Sequence, residues 1–222
     1  MSILEDLVAI IAPHHCLRCN REGALLCGWC RLEAISAPPQ HCYRCHKSSP
    51  TTLCADCRPQ TDLAHVWVRT AYEDGGELLV GALKFRHARA AAKEVAALMA
   101  ERLPRLPADT LITHVPAASS HVRQRGFDQS ALIAFELAKL RSLTHVTLLA
   151  RVGQQRQVGA SREQRREQVQ SAFRPISKSL IKDARILVID DVLTTGSTLE
   201  AAASTLKAAG ARHIAAATFA QA

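Results

Sequence analysis

Two carboxylates stand side by side at Asp190 and Asp191 in the stretch RILVIDDVLTTGSTLEAAASTLKAAGA, which runs from 185 to 211. An apolar run precedes them, and a cluster of small hydroxyl residues follows. Thr194, Thr195, Ser197 and Thr198 surround Gly196, and their hydroxyls can donate hydrogen bonds to a phosphate. The aspartates cannot serve a phosphate, because like charges repel, but a carboxylate accepts hydrogen bonds from a vicinal diol or faces a divalent cation. A sugar phosphate would satisfy both halves of the pattern. A solvated Asp-Asp turn would have no use for the hydroxyl-rich glycine loop.

A second chemistry is written at the other end of the chain. All 8 cysteines fall between Cys16 and Cys57, in the pairs CLRC, CGWC, CYRC and CADC. A C-x-x-C turn sets two sulfurs on one side of a knuckle, and two knuckles complete a tetrahedral zinc site of four thiolates. Two structural zinc ions are therefore expected. Sequential pairing puts Cys16, Cys19, Cys27 and Cys30 on one ion and Cys42, Cys45, Cys54 and Cys57 on the other; an interleaved pairing uses the same residues crosswise. Disulfides are the competing account, disfavoured in a reducing compartment. His14, His15, His41 and His46 flank the knuckles and could substitute as ligands, but they read first as lone surface histidines. Four thiolates leave no open position on the metal, so these zincs would hold structure and not perform catalysis.

The elements that position the acidic pair follow from the pattern around it. Ile186 to Ile189 is a short, β-branched apolar run, the mark of a strand buried on both faces of a parallel sheet. Ser197 to Gly210 is rich in Ala and Leu, carries Lys207 near its end and stops at a glycine, which reads as a helix. Strand, loop and helix in that order place the loop at the carboxyl edge of a sheet, where free amides and the positive end of the helix dipole meet a ligand. Upstream, HVWVRTAY, TLITHVP and HVTLLA read as strands and GGELLVGALKF, RAAAKEVAALMAERL and RGFDQSALIAFELAKL as helices, with RHIAAATFA as a final strand. Alternation of this kind argues a parallel α/β sheet flanked by helices. A boundary near 58 to 62 divides the chain into a cysteine-rich domain, 1–60, and an α/β domain, 61–222. The front domain is expected to need its metal to fold, and the rest to fold without it.

An apolar strand ending in two acids also resembles a Walker B motif, but no G-x-x-x-x-G-K-[ST] occurs in the chain. A receiver domain would need more chain after Asp191 than is there. From Ile186 to Thr198 the match is instead to the phosphoribosyl pyrophosphate (PRPP) motif of type I phosphoribosyltransferases: four apolar residues, two acids, two apolar residues, then Thr-Thr-Gly-Ser-Thr. The resemblance implies that Asp190 and Asp191 hold the ribose 2'- and 3'-hydroxyls while Thr194, Thr195, Gly196, Ser197 and Thr198 hold the 5'-phosphate, with magnesium accompanying PRPP.

Over almost its whole length the chain resembles the ComF/GntX family of phosphoribosyltransferase-like proteins. The resemblance rests on the paired cysteine knuckles, LKF at 83 to 85, a strand ending in VP followed by RQRGFDQS at 123 to 130, QVGASREQRR at 157 to 166, AF at 172 and 173, and VIDDVLTTGST. It implies a double zinc ribbon in front of a type I phosphoribosyltransferase-like fold. It also implies a pyrophosphate loop or mobile hood lined by Arg123, Arg125, Gln129, Gln157, Ser161 and Arg165. The family usually shows Pro-Val-Pro where this chain has HVPAA, Asn in place of Asp128 and Gln168, and often an Arg near the position of His121, which leaves fewer positive groups here to face a pyrophosphate. Purine-salvage members of the type I class carry a third carboxylate where this chain has Thr194.

Function is expected to follow the family: a PRPP-binding protein in DNA uptake or utilisation that handles imported single-stranded DNA. The alternative is an active transferase moving ribose 5-phosphate from PRPP to an unidentified acceptor. A third reading is an interaction module that docks through its zinc ribbons on a helicase or other DNA-processing protein. The formal charge of +8 and the pI near 9.3 suit a polyanionic partner. Few aromatics, 4% of residues, argue against a long base-stacking platform. The apolar segment MSILEDLVAIIAP carries Glu5 and Asp6 where an export signal would carry cations and is too short to span a bilayer, so a cytoplasmic protein without membrane insertion is expected.

Overall fold

The computed structural model describes residues 14–84, 88–152 and 172–222. Its centre is a 5-stranded sheet built from β1 (His65–Ala71), β2 (Thr110–His114), β3 (Thr144–His145), β6 (Arg185–Leu193) and β7 (His213–Gln221). The order is β1-β7-β6-β2-β3, with every neighbouring pair parallel. The parallel α/β sheet expected from the sequence is therefore present. β6 is central, and its Ile186, Leu187, Val188 and Ile189 are buried on both faces as the apolar run implies.

Alternation along the strands sorts the core into two layers. Leu187, Ile189, Ala215, Ala217 and Ile112 face α2 (Asp74–Leu83), α3 (Ala88–Arg102) and α5 (Gln129–Arg141), whose Leu79, Leu98 and Ile133 are fully buried. Ile186, Val188, Ile214 and Ala216 face α7 (Ser197–Ala208), whose Leu199, Ala202, Ala203 and Leu206 form the opposing stripe. Among the described residues, two short helices, α4 (Ser119–Arg125) and α6 (Lys178–Ile181), complete this part of the chain.

Two expectations are corrected. HVTLLA is not one strand: Thr144 and His145 pair with β2, while β4 (Leu149–Arg151) leaves the sheet and pairs antiparallel with β5 (Phe173–Pro175). The apolar run continues through the departure because Leu148 and Leu149 stay buried in the α7-side layer. Nor does β6 stop before the acids, since it runs through Asp190 and Asp191 to Leu193, with Asp190 opposite Thr218 and Val192 opposite Ala220.

The cysteine-rich segment is a repeated hairpin. His15 bridges Glu22 and His41 bridges Ser48; Cys16 N donates to Arg21 O just as Cys42 N donates to Lys47 O. Each turn passes through a left-handed residue, Asn20 and His46. The hairpins are followed by α1 (Gly28–Ala34) in the first repeat and by a single 3-10 turn, Arg58–Gln60, in the second. They pack on opposite faces of the sheet: Leu25, Leu26, Cys27, Cys30 and Ile35 join the α2/α3/α5 layer, and Cys42, Tyr43, Leu53 and Cys57 join the α7 layer. Among the described residues no helix is long and apolar enough to cross a membrane.

Candidate functional site

The eight cysteines form two clusters, Cys16, Cys19, Cys27 and Cys30 in one and Cys42, Cys45, Cys54 and Cys57 in the other, with the sulfurs of each within 4.8 Å of one another. Pairing is thus sequential, not interleaved, and all eight thiols are free of disulfides. The Cys19 and Cys27 sulfurs lie 3.6 Å apart and those of Cys45 and Cys54 3.8 Å, which fits the roughly 3.8 Å edge of a thiolate tetrahedron around zinc at about 2.3 Å. Knuckle amides help create the thiolate. Burial alone raises the Cys16 thiol, but the amides of Cys27, Cys19 and Arg18 outweigh it and bring the pKa to about 6. Cys42 stands likewise at about 6, burial being opposed by the amides of Cys54, Cys45 and Arg44. Two of the flanking histidines bond elsewhere: His15 Nδ1 contacts Asn20 O at 3.2 Å, and His41 Nε2 meets Gln221 Nε2 at 3.0 Å.

At the carboxyl edge of the sheet, Asp190 and Asp191 are half-buried and held from α5. Ser130 Oγ donates to Asp190 Oδ1 at 2.9 Å, and Gln129 Nε2 donates to Asp191 Oδ2 at 3.3 Å. Arg125 Nη1 donates in turn to Gln129 Oε1 at 3.0 Å, so a cation, an amide and a carboxylate form one chain. Burial, then the charge of Asp191, push the Asp190 carboxyl well above its usual range, and the Ser130 hydroxyl partly opposes them. A ligand that supplies donors or a cation would stabilise the ionised pair.

Thr194, Thr195 and Ser197 are exposed immediately beyond β6, while Gly196 is buried and caps α7 at φ 75°. That positive φ favours glycine. Thr195 Oγ1 and Ser197 Oγ lie 3.0 Å apart, and Thr198 is half-buried in the first turn of the helix. The loop therefore sets hydroxyls and helix amides beside the acidic pair.

The loop after β2 is fixed by Asp128. Its Oδ1 accepts the Ala131 amide at 3.2 Å as the N-cap of α5, and its Oδ2 accepts the Ala117 amide at 2.7 Å. An asparagine offers one acceptor oxygen, so the aspartate here does both tasks where an amide could do one. Arg125 is half-buried and Arg123 exposed at the end of α4. His114 is buried against His145, Nδ1 to Nε2 at 3.3 Å. Burial lowers its pKa, with Asp128 opposing and His145 adding to the effect, so it brings no positive charge to the site at neutral pH.

Of the residues singled out from sequence, Arg125, Gln129, Asp190 and Asp191 are joined by hydrogen bonds; Gln157, Ser161 and Arg165 lie outside the described residues. Ser130 was not singled out, although it closes the motif RGFDQS. Tyr43 and Glu200, described below, gave no sequence signal because their partners are far away in the chain.

Residues 146–222 match the model of the phosphoribosyl transferase domain. The chain is 26% identical to competence protein F of Haemophilus influenzae over 197 residues, covering 85% of this chain and 81% of that protein. Among solved structures it is similar to the allosteric regulatory enzyme of purine biosynthesis, with 18% identity, a TM-score of 0.42, and coverage of 59% of this chain and 25% of that one. The glutamine PRPP amidotransferase from B. subtilis gives 17% identity, a TM-score of 0.44, and coverage of 59% and 26%. A hypoxanthine phosphoribosyltransferase from Staphylococcus aureus gives 15%, 0.34, 57% and 59%. The chain thus spans about a quarter of the length of the first two enzymes and under two thirds of the third. It carries a match to the phosphoribosyl transferase domain behind two four-cysteine clusters and is similar to competence protein F over most of its length.

Proposed function

We propose that the chain binds PRPP or a related sugar phosphate at the carboxyl edge of its sheet. Asp190 and Asp191 take the ribose 2'- and 3'-hydroxyls, and the segment from Thr194 to Thr198 takes the 5'-phosphate. The observation that carries this reading is the chain Arg125–Gln129–Asp191 together with the Ser130–Asp190 bond. It supports the reading by setting a guanidinium two hydrogen bonds away from the acids, a cation that an anionic extension of the ribose could meet. Arg123, exposed on the same helix, and Gln157, Ser161 and Arg165 remain candidates to line or cover the site, and magnesium arrives with the pyrophosphate. Zinc in the two cysteine clusters is structural. We take 1–60 as the zinc-ribbon domain and 61–222 as the phosphoribosyltransferase-like domain.

We assign the biological role to DNA uptake or utilisation in the cytoplasm, on two supports: similarity to competence protein F, and a cleft of about 800 Å³ lined by Lys84, Arg89, Arg125 and Phe127. Three cations and one aromatic suit a single strand, the cations meeting phosphates and the ring a base. A helicase or other DNA-processing protein is the partner class. In a second reading the chain transfers ribose 5-phosphate to an acceptor other than a purine, since exposed Thr194, where purine-salvage enzymes hold a carboxylate, disfavours only the purine.

Calorimetric titration with PRPP and Mg2+, and separately with single-stranded DNA at two salt concentrations, tests both halves. Saturable PRPP binding and salt-sensitive DNA binding are expected. Absence of PRPP binding overturns the site, and absence of DNA binding overturns the role.

A further inference from the structure

Glu200, in the first turn of α7, is held on one oxygen from the cysteine-rich segment and on the other by Thr61, just after it. Tyr43 Oη donates to Oε1 at 2.5 Å, Arg44 Nη1 donates to the same oxygen at 2.7 Å, and Thr61 Oγ1 donates to Oε2 at 2.6 Å. Tyr43 and Arg44 are the two residues between Cys42 and Cys45, so they ride on the knuckle of the second cluster. Tyr43 is 2% exposed. Its ring lies so close to Gly196 that a Cβ built there would fall inside the contact distance of ring atoms Cε2 and Cδ2. One knuckle thus grips the phosphate-loop helix by its carboxylate and closes off the loop's glycine from behind.

We propose that Tyr43 is a positioning residue for the loop Thr194–Ser197, so that the second cysteine cluster, and not the first, sets the affinity of the site for its phosphate. The proposal rests on the sugar-phosphate reading for its ligand, while the grip itself is read from the contacts. Removing the ring frees Gly196 and one donor to Glu200, and the loop amides and hydroxyls lose their fixed aim. The first cluster offers a contrast: in the equivalent places between Cys16 and Cys19, Leu17 packs on the other layer and Arg18 pairs with Glu33 and Asp74, and Trp29, between Cys27 and Cys30, is 65% exposed.

The test compares Tyr43→Ala, Tyr43→Phe, Glu200→Gln and Trp29→Ala by calorimetry with PRPP and Mg2+, by zinc content, and by the backbone amide signals of the 194–197 loop in NMR spectra without ligand. Tyr43→Ala is expected to weaken PRPP binding about tenfold with zinc content unchanged, Tyr43→Phe by less than about threefold, and Trp29→Ala not at all. Glu200→Gln guards against loss of folding in the alanine variant and has a telling direction. Taking a negative charge from the first turn would by itself favour an anion, so weaker binding reports lost positioning, and equal or tighter binding overturns the proposal. Unchanged loop signals and affinity in zinc-loaded Tyr43→Ala overturn it as well. If the parent protein does not bind PRPP, the ligand reading falls alone; the loop signals then decide, their movement in Tyr43→Ala but not Trp29→Ala supporting the grip and their constancy refuting it.

Discussion

Ser130 Oγ reaches Asp190 Oδ1 at 2.9 Å, tying the start of α5 to the middle strand of the sheet. The bond works against burial, which favours the neutral acid, and so helps keep Asp190 ionised for a diol or a cation. Ser130→Ala should therefore weaken PRPP binding by about 1 kcal/mol, roughly fivefold. The loss should be larger at pH 6 than at pH 8, because the carboxyl that lacks its donor protonates more readily. Titrations at the two pH values check this.

The same carboxyl makes a stability prediction. Its folded pKa lies above the ordinary 3.8, so between those values the native state holds more protons than the unfolded one. Stability is then fully present below about pH 4 and lost as pH rises through the folded pKa. Asp190→Asn removes this slope. The variant should melt above the parent at pH 8, and the difference should shrink as pH falls toward 4, as measured by thermal unfolding across that range.

Metal analysis should give about two zinc ions per chain, one for each group of four thiols. From sequence, chelation would be expected to unfold the front end alone. The packing argues for more, since Leu25, Leu26 and Cys30 share one core with Leu79 and Ile133, and Tyr43 and Leu53 share the other with Leu199. Chelation should lower the melting temperature of the whole chain in a single transition, which helical circular dichroism would follow. A retained helical transition at the original temperature would show that the α/β domain stands alone.

Binding of single-stranded DNA should weaken with salt, with a log-log slope set by the number of phosphates met. Arg125→Gln should reduce that slope by about 0.7. Arg89→Gln should do the same without touching the acidic pair, because Arg89 lines the cleft from α3 and is exposed there. Filter binding or fluorescence anisotropy over a salt series checks both.

What the sequence made legible was local. The acidic pair, its hydroxyl loop and the helix behind it lie within one strand-loop-helix unit, and each C-x-x-C pair announces its own knuckle. The joins between units were not legible, because they depend on distant chain segments meeting. Tyr43 and Glu200 are separated by 157 residues, and nothing in CYRC marks its tyrosine as a strut for a phosphate loop. The turn of β4 away from the sheet was hidden too, since Leu148 and Leu149 are as apolar as a continuing strand would be. That Asp128 caps α5 and also carries the Ala117 amide follows only from the loop after β2 lying over it.

The most direct measurement of the central claim is PRPP titration of the double variant Asp190→Asn, Asp191→Asn. Asparagine keeps the shape but exchanges charge-assisted acceptors for neutral ones, at about 1 to 2 kcal/mol for each bond lost. The account predicts PRPP binding at least roughly tenfold weaker, with zinc content unchanged and a melting temperature equal to or above that of the parent. Parental affinity for PRPP in a double variant that had lost stability would contradict it, and the aspartates would then be a structural turn.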